Sequence, residues 1–447
     1  MNIKSQQAKN SFLFIFIYLC SLSLQPAFAT QSKEVITTDI WAATATVFKL
    51  VGEKAVNNVK LNWMQREDAD LYKIYRDGNC IGEAKGNTYD DYNLKADKTF
   101  TYHVEAFKEG KKIATSASQQ ATTFTPNGET KVYDNLNGKY ITKESAQKPQ
   151  GMKIGELYFS YKMENVEKEV DGQTLKGWLA TESFSPTGLN GSWSTSRELA
   201  FYPNVKFEGI AFRYNAKTGK VVLSAHYEDQ SGYVAAKIYL AQITPKGELE
   251  VGTMERPLGY DSRDQSLFID DDGTAYLLSA TNMNRDINIY KLDPSWTKPV
   301  LLVNTICKGL HRETPAIIKK DGEYYFFSSK ASGWYPSQTM YTSAADLGGE
   351  WTPMREIGNN STFDAQFNRI STVGKTCGVW SYHWGAQRKY KTPAGNFPRI
   401  SIAAFNKGYA SMDYYRYLEF SDKYGIIPVQ NGKNLTLNVP VTAAVPG

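Results

Sequence analysis

The chain has 447 residues, a formal net charge of +5 and 13% aromatic residues, chiefly Tyr (29) and Phe (21). This length allows two or three domains, and the near balance of acids and bases gives no reason to expect nucleic acid or an anionic membrane as a partner. With only four cysteines, the chain is not held together by a disulfide framework.

Residues 1–29 predict a cleavable secretory signal. Lys4 and Lys9 supply a positive start, Phe12 to Leu19 an apolar run, and Ala27 to Ala29 a small-residue cleavage site. The apolar run is too short to span a bilayer, and we find no other candidate span in the sequence. We therefore expect a periplasmic or secreted protein whose signal ends at Ala29.

Residues 45–125 predict a separate small β-sandwich. Val59 to Trp63 alternates apolar and polar residues, and turns follow at 76–79 and 109–110. The order of a Trp strand, a Tyr-rich hairpin and an aromatic strand resembles fibronectin type III modules. That resemblance implies a spacer or docking module, joined to the rest of the chain by a linker at 126–135.

Residues 136–430 keep a β pattern with a long repeat. Four polar residues each head an apolar run, at intervals of 56, 49 and 53 residues, and they are Glu208, Asp264, Glu313 and Gln366. A β period of this length is typical of a propeller with one blade per repeat. About 59 residues per blade predicts an all-β, five-bladed β-propeller, with six blades as the alternative count.

The innermost strands of a propeller start near one end of its axis, so these four polar side chains should converge. Three of them are carboxylates, and like charges in one cavity raise the cost of ionising each. At least one acid should then hold a proton near neutral pH. A protonated acid beside an ionised carboxylate is the arrangement that glycoside hydrolysis requires.

The motifs around these residues resemble glycoside hydrolase family 43, and more narrowly its exo-β-1,3-galactanase branch. The resemblance spans roughly residues 175–385. It lies in Asp261 to Phe268, in Arg312 to Ala316 and in Ser332 to Pro336. It implies a five-bladed propeller and hydrolysis with inversion. The chain departs from the family in its first blade, which carries no acid in register, and at Glu208, which Gly rather than Arg follows.

The resemblance also implies roles for the four residues. Glu313 would be the general acid, and Asp264 would orient it and raise its pKa. Glu208 lies where the branch has a substrate-binding or base-candidate glutamate, and Gln366 where a glutamine replaces an ordinary acidic base. The resemblance does not decide which of Glu208 and Gln366 activates the water.

Other residues are expected to contact the sugar or the axis. Trp334 and Tyr335 belong to a loop from which an aromatic ring could stack on a sugar, or pack at the rim instead. Arg263 and Arg312, each preceding an acid, are further substrate-binding candidates. No cofactor is required, although some relatives hold calcium on the axis near a histidine, for which His383 is the candidate here.

We therefore expect an exported, inverting exo-glycosidase that acts on β-1,3-galactan, the backbone of arabinogalactan side chains. Its partner would be a polysaccharide or oligosaccharide. The alternatives are an α-L-arabinofuranosidase or β-xylosidase on the same scaffold, and a propeller that binds glycan without cleaving it.

Overall fold

The computed structural model describes residues 39–41, 43–51, 56–95, 98–123, 132–140, 151–189, 191–229, 232–386, 395–421 and 425–431. The predicted signal at 1–29 lies outside these ranges. All described strands belong to one compact unit, Asp39–Gly447. The described residues contain no helix long and apolar enough to cross a membrane.

The predicted all-β class is confirmed. The described helical structure is one 3-10 turn, Pro257–Gly259. The strands of the first third are β1 (Asp39–Trp41), β2 (Ala43–Val51), β3 (Val56–Trp63), β4 (Leu71–Arg76), β5 (Asn79–Ala84), β6 (Thr88–Leu94), β7 (Thr99–Lys108), β8 (Lys111–Ser116), β9 (Gln119–Thr122), β10 (Val132–Asp134) and β11 (Lys139–Tyr140). Strand β10 lies within the segment 126–135 that was predicted to be a linker.

Two sheets share the core of this part of the chain. One has six strands in the order β1-β8-β7-β4-β5, with β9 also paired to β7, and the other contains β2, β3 and β6. Alternate residues of β7 are buried, which is the two-residue period of a half-buried strand. Trp63 and Tyr72 meet in the core, with ring centroids 5.4 Å apart, among the buried side chains of Val59, Leu61, Ile74, Tyr102 and Val104.

The second of these sheets also includes strands from the end of the chain. Its order is β11-β10-β32-β33-β2-β3-β6, where β32 is Tyr417–Ser421 and β33 is Gly425–Asn431. Strand β33 pairs with β2 in parallel. The end of the segment that we predicted as a propeller, 136–430, therefore shares a sheet with residues of the predicted sandwich.

Between these parts lie five four-stranded antiparallel sheets, each built from consecutive strands. Sheet 1 holds β12 (Met152–Ile154), β13 (Leu157–Val170), β14 (Gln173–Ser185) and β15 (Arg197–Pro203). Sheet 2 holds β16 (Lys206–Asn215), β17 (Lys220–Glu228), β18 (Lys237–Ile243) and β19 (Leu249–Glu255). Sheet 3 holds β20 (Gln265–Ile269), β21 (Ala275–Thr281), β22 (Asp286–Leu292) and β23 (Pro299–Ile306). Sheet 4 holds β24 (Arg312–Lys320), β25 (Glu323–Lys330), β26 (Met340–Ala344) and β27 (Arg355–Glu356). Sheet 5 holds β28 (Gln366–Val373), β29 (Thr376–Trp384), β30 (Asn396–Asn406) and β31 (Tyr409–Tyr414).

Short turns join the first two strands of these sheets. In sheet 4 the turn is Asp321-Gly322, where φ is 50° and 83°. Two consecutive residues with positive φ match the twist of a β-hairpin, and Asp-Gly adopts this conformation at low cost. The turn therefore sets the register of the hairpin. Lys320 pairs with Glu323 beside the turn, and Arg312 pairs with Lys330 at the opposite end.

The cysteines of the described residues are free. Cys307 contacts the sulfur of Met354 at 3.6 Å, Cys377 is buried in sheet 5, and Cys80 is exposed. Packing, rather than a cross-link, stabilises the sheets: Phe327, Phe367 and Val379 of sheets 4 and 5 lie in one buried cluster.

Candidate active site

The four polar residues singled out in the sequence lie at the starts of the first strands of sheets 2 to 5. Glu208 is the third residue of β16, Asp264 directly precedes β20, Glu313 is the second residue of β24, and Gln366 is the first residue of β28. The spacing in the sequence thus corresponds to one position repeated in four successive sheets.

Side chains link these strand starts directly. Gln265 Nε2 donates to the Gly209 carbonyl at 2.8 Å, and Thr314 Oγ1 donates to the Phe367 carbonyl at 2.9 Å. Ser266 Oγ completes the series by donating to the Pro315 carbonyl at 2.5 Å. First strands of neighbouring sheets therefore lie side by side at the end that carries the polar residues.

A β-bulge accompanies three of these starts. The strand register shifts after Glu208, after Glu313 and after Phe367. Thr314 has a φ of 52°, which costs a β-branched residue about 1–3 kcal/mol. The bulge turns the Thr314 N–H out of the strand ladder, and it donates to Asp264 Oδ2 at 3.1 Å. Bulges of this kind are common beside active sites because they redirect side chains.

Glu313 lies at the centre of the cluster and is partly buried. Its Oε1 accepts from Gln366 Nε2 at 2.5 Å, and its Oε2 accepts from Asn284 Nδ2 at 3.3 Å. Burial, followed by the negative charge of Asp264, raises the pKa of Glu313 to about 8, against the opposing hydrogen bond from the Ser332 N–H. Glu313 therefore holds a proton at neutral pH, as a general acid must.

The charge of Asp264 interacts with the carboxyl groups of both Glu208 and Glu313. Burial raises the pKa of Asp264, and the charge of Glu208 adds to this effect, whereas His226 and the Thr314 N–H oppose it. The same carboxyl raises the pKa of Glu313. Like charges that share a cavity in this way favour one proton held within the group.

Glu208 is the ionised member of the cluster. Its Oε1 accepts from Tyr233 Oη at 2.7 Å and forms an ion pair with Lys206 Nζ at 2.8 Å, while its Oε2 lies 3.5 Å from His226 Nδ1. Burial alone would raise the pKa of Glu208. The contacts with His226, Lys206 and Tyr233 outweigh burial and lower the pKa to about 2.

The orientation of the Gln366 amide follows from its neighbour Trp384. The indole Nε1 of Trp384 lies 3.1 Å from Gln366 Oε1. An indole N–H can only donate, so the carbonyl of the amide must face it. The NH₂ group then faces Glu313, and Oε1 of Glu313 accepts from it. Gln366 is 6% exposed and engaged on both sides, so the amide positions the Glu313 carboxyl.

The four predicted substrate-binding residues occupy different environments. Trp334 is 53% exposed, and Tyr335 is partly buried. Both belong to the loop in which the Ser332 N–H donates a hydrogen bond to Glu313. Arg263 Nη2 donates to the Tyr233 carbonyl at 3.2 Å, beside the cluster. Arg312, by contrast, is buried beneath it.

The guanidinium of Arg312 is directed into the protein. Its Nε donates to Ser328 Oγ at 3.0 Å, and its Nη2 donates to the Ser328 and Gln338 carbonyls at 2.5 and 3.0 Å. Burial lowers the pKa of Arg312 to about 10. These contacts hold the start of β24 in place, so Arg312 supports the strand that carries Glu313.

Four residues of the site have no role predicted from the sequence: Lys206, Tyr233, Asn284 and Trp384. Tyr233 and Trp384 lie within segments that were compared with the family, but neither heads a strand. Asn284 ends a run of three residues with positive φ, Asn282 to Asn284. The two asparagines are the sequence feature that could have indicated this turn, because Asn adopts the left-handed region more readily than most residues.

The calcium candidate His383 lies on β29, directly before Trp384. It is 3% exposed, and its Nδ1 lies 3.0 Å from Asp364 Oδ2, next to Arg399. Within the described ranges, no group of three or more His, Cys, Asp or Glu side chains is arranged to hold a metal ion.

Comparison with known proteins agrees with this geometry. Residues 250–376, which include Asp264 and Glu313, match the family model for glycosyl hydrolases family 43. The chain carries a family 43 glycosyl hydrolase segment. The family predicted from the sequence is confirmed, and so is the enzyme class, a glycosidase. None of the curated proteins compared with the sequence matches it significantly.

Solved structures of family 43 enzymes are similar to this chain. An exo-β-1,3-galactanase from Clostridium thermocellum is 25% identical, with a TM-score of 0.50 and coverage of 68% of each chain. An exo-β-1,3-galactanase from Phanerochaete chrysosporium, solved with β-1,3-galactotriose, is 24% identical, with a TM-score of 0.49. The match to the latter covers 61% of this chain and 63% of that one.

Proposed function

We propose that this family 43 glycosidase removes galactose from the end of β-1,3-galactan chains with inversion of configuration. The observation that carries the proposal is the pairing of a protonated Glu313 with an ionised Glu208 around Asp264. The pKa of the former is raised to about 8 and that of the latter lowered to about 2. The similarity to the galactanase from Clostridium thermocellum supports galactan as the substrate.

The architecture in this proposal is a five-bladed β-propeller preceded by a fibronectin III-like sandwich. Five consecutive four-stranded sheets support the blade number. Hydrogen bonds between the first strands of sheets 2 to 5 support a common axis for those sheets. The shared core of β3, β4 and β7 supports the sandwich.

In the proposed reaction, Glu313 donates its proton to the oxygen of the leaving sugar. Asp264 keeps that proton available by its negative charge. Glu208 receives a proton from the attacking water on the opposite side of the sugar. Inverting sites separate these two groups by about 6.5–9.5 Å so that a water fits between them.

Gln366 is less suited to the water-activating role. Its amide nitrogen is 2.5 Å from Glu313, which leaves no room for a water and a sugar between the two groups. Its carbonyl is engaged by Trp384. We therefore assign the water to Glu208 and the positioning of the acid to Gln366.

The deciding experiment is incubation with three substrates: β-1,3-galactooligosaccharides, an aryl α-L-arabinofuranoside and an aryl β-xyloside. Release of α-galactose, followed by NMR during the first minutes, is the expected result. Release of pentose would point to the alternative specificity, and binding without products to a glycan-binding propeller. The Glu313→Gln variant, purified in parallel, controls for contaminating hydrolases.

Export and ion binding belong to the same proposal. We expect the mature protein to begin after Ala29, in the periplasm or medium, which N-terminal sequencing of the native protein would test. No cofactor is needed for the proposed chemistry. A calcium ion on the axis near His383 would be revealed by a change in melting temperature on addition of EDTA.

A further inference from the structure

His226 and Glu228 form a buried pair directly behind Glu208. His226 is 2% exposed and Glu228 is fully buried. Nε2 of His226 lies 2.8 Å from Glu228 Oε1, and Glu228 Oε2 accepts the Ala236 N–H at 3.0 Å. The other ring nitrogen, Nδ1, points toward Glu208 Oε2 at 3.5 Å. The imidazole thus joins two carboxylates.

The two oxygens of Glu208 differ in their partners. Oε1 is engaged by Tyr233 and Lys206. Oε2 has His226 Nδ1 as its neighbour among the described side chains. Oε2 is therefore the oxygen left to receive a proton from water, and His226 is the group beside it.

The neighbour of Nδ1 indicates what this nitrogen carries. If Nδ1 had no proton, its lone pair would face the ionised carboxylate of Glu208 at 3.5 Å. A proton on Nδ1 instead places an N–H beside that carboxylate, and this contact is attractive.

We propose that the His226–Glu228 pair is a positioning unit that presents an N–H from Nδ1 to Oε2 of Glu208 and so keeps this carboxylate ionised. The inference rests on the proposed role of Glu208 in activating water. In that step the water O–H bond breaks, its proton passes to Glu208, and its oxygen bonds the anomeric carbon. The glycosidic bond breaks as Glu313 protonates the leaving oxygen.

Other charged or titratable groups also face the imidazole. Asp264 acts on it from the start of β20, and the Tyr233 ring lies 6.0 Å away, centroid to centroid. Ile238, which pairs with His226 on β18, contributes no charge. The carboxylates of Glu208, Glu228 and Asp264 are therefore the acidic groups beside the imidazole.

The pH profile of His226→Gln tests the proposal. Removing the Nδ1 donor should raise the pKa of Glu208, so the acidic limb of kcat/KM should move to higher pH by about 1–3 units. Ser224→Ala, on the same face of β17, is the matched control and should leave the limb in place, because the buried Ser224 hydroxyl has no hydrogen-bond partner within the part of the chain that the structure describes. A uniform loss of rate at every pH would show a merely structural role and overturn the proposal.

A second measurement stands even if His226→Gln fails to fold. The chain contains four histidines, so selective ¹⁵N labelling of wild-type protein resolves each imidazole. We expect Nδ1 of His226 to be protonated at pH 6–7. A neutral ring with its only proton on Nε2 would overturn the proposal. This readout needs no substrate, so it is independent of whether the galactan assignment holds.

Discussion

The side-chain amide of Gln366 donates a hydrogen bond to Oε1 of Glu313 over 2.5 Å. Trp384 fixes the direction of this bond by donating to the other end of the amide. Asn284 Nδ2 donates to the other oxygen of Glu313, Oε2, at 3.3 Å. Gln366 of sheet 5 therefore orients the proposed catalytic acid, Glu313, of sheet 4.

Replacing Glu313 by Gln keeps the shape of the side chain but removes its transferable proton. Turnover of β-1,3-galactooligosaccharides should fall by roughly 10²–10⁴, the usual scale for acid catalysis. Fold and sugar affinity should survive, as circular dichroism and calorimetry would check. Glu323→Gln, at the far end of the same hairpin, is the control. If activity on substrates with poor leaving groups stays within a few-fold of wild type, Glu313 is not the acid.

The raised pKa of Glu313 predicts the alkaline side of the pH profile. The acid works in its protonated form, so on the alkaline side kcat/KM should keep its maximum value below about pH 8 and fall as pH rises through that value. In Asp264→Asn the neighbouring negative charge is lost. The pKa of Glu313 should then drop by about 1–3 units, and the alkaline limb should move to lower pH. A limb at the same pH in both proteins would contradict the role given to Asp264.

Trp384→Phe tests how the Gln366 amide is held. Without the indole N–H, the amide can rotate and present its carbonyl to the protonated Glu313. We expect kcat to fall about five- to tenfold, since one hydrogen bond contributes about 1 kcal/mol, with little change in KM. Trp351→Phe is the control, because it removes an indole N–H that donates to the Leu347 carbonyl in the segment between β26 and β27. Equal losses in both variants would deny a specific role for Trp384.

The N-terminal strands should stabilise the C-terminal end of the chain. Residues 136–447 contain every proposed catalytic residue, so we expect this fragment to hydrolyse short oligosaccharides at low temperature. It lacks β2, which pairs with β33, and also Lys60 and Asn62, which donate to the buried Asp413 at 3.0 Å each. Leaving such an acceptor unpaired costs about 1–3 kcal/mol.

The melting temperature of the fragment should therefore lie below that of the full chain. Asp413→Asn in the full chain, which weakens only the contact with Lys60 and Asn62, should give a smaller drop. A well-folded but inactive fragment would show that the N-terminal part completes the site.

The convergence of Glu208, Asp264, Glu313 and Gln366 could be predicted from sequence because one strand position repeats every 49 to 56 residues. The direction of the Arg312 side chain could not, since an arginine beside a catalytic acid is equally compatible with contact to substrate. The pairing of β33 with β2 joins segments almost 400 residues apart. No local pattern signals such a contact, because alternation shows which face of a strand is buried and not which strand lies beside it.

The final prediction separates Glu208 from Gln366 as the group that activates water. Glu208→Gln removes the basic oxygen, so the rate should fall severely, and azide should partly restore it because this small nucleophile needs no base. Gln366→Ala should lose a comparable amount without rescue, since the amide positions Glu313 rather than accepting a proton. Products are followed by NMR for glycosyl azide. Rescue in the Gln366 variant alone would reverse the assignment and make the amide the equivalent of the base.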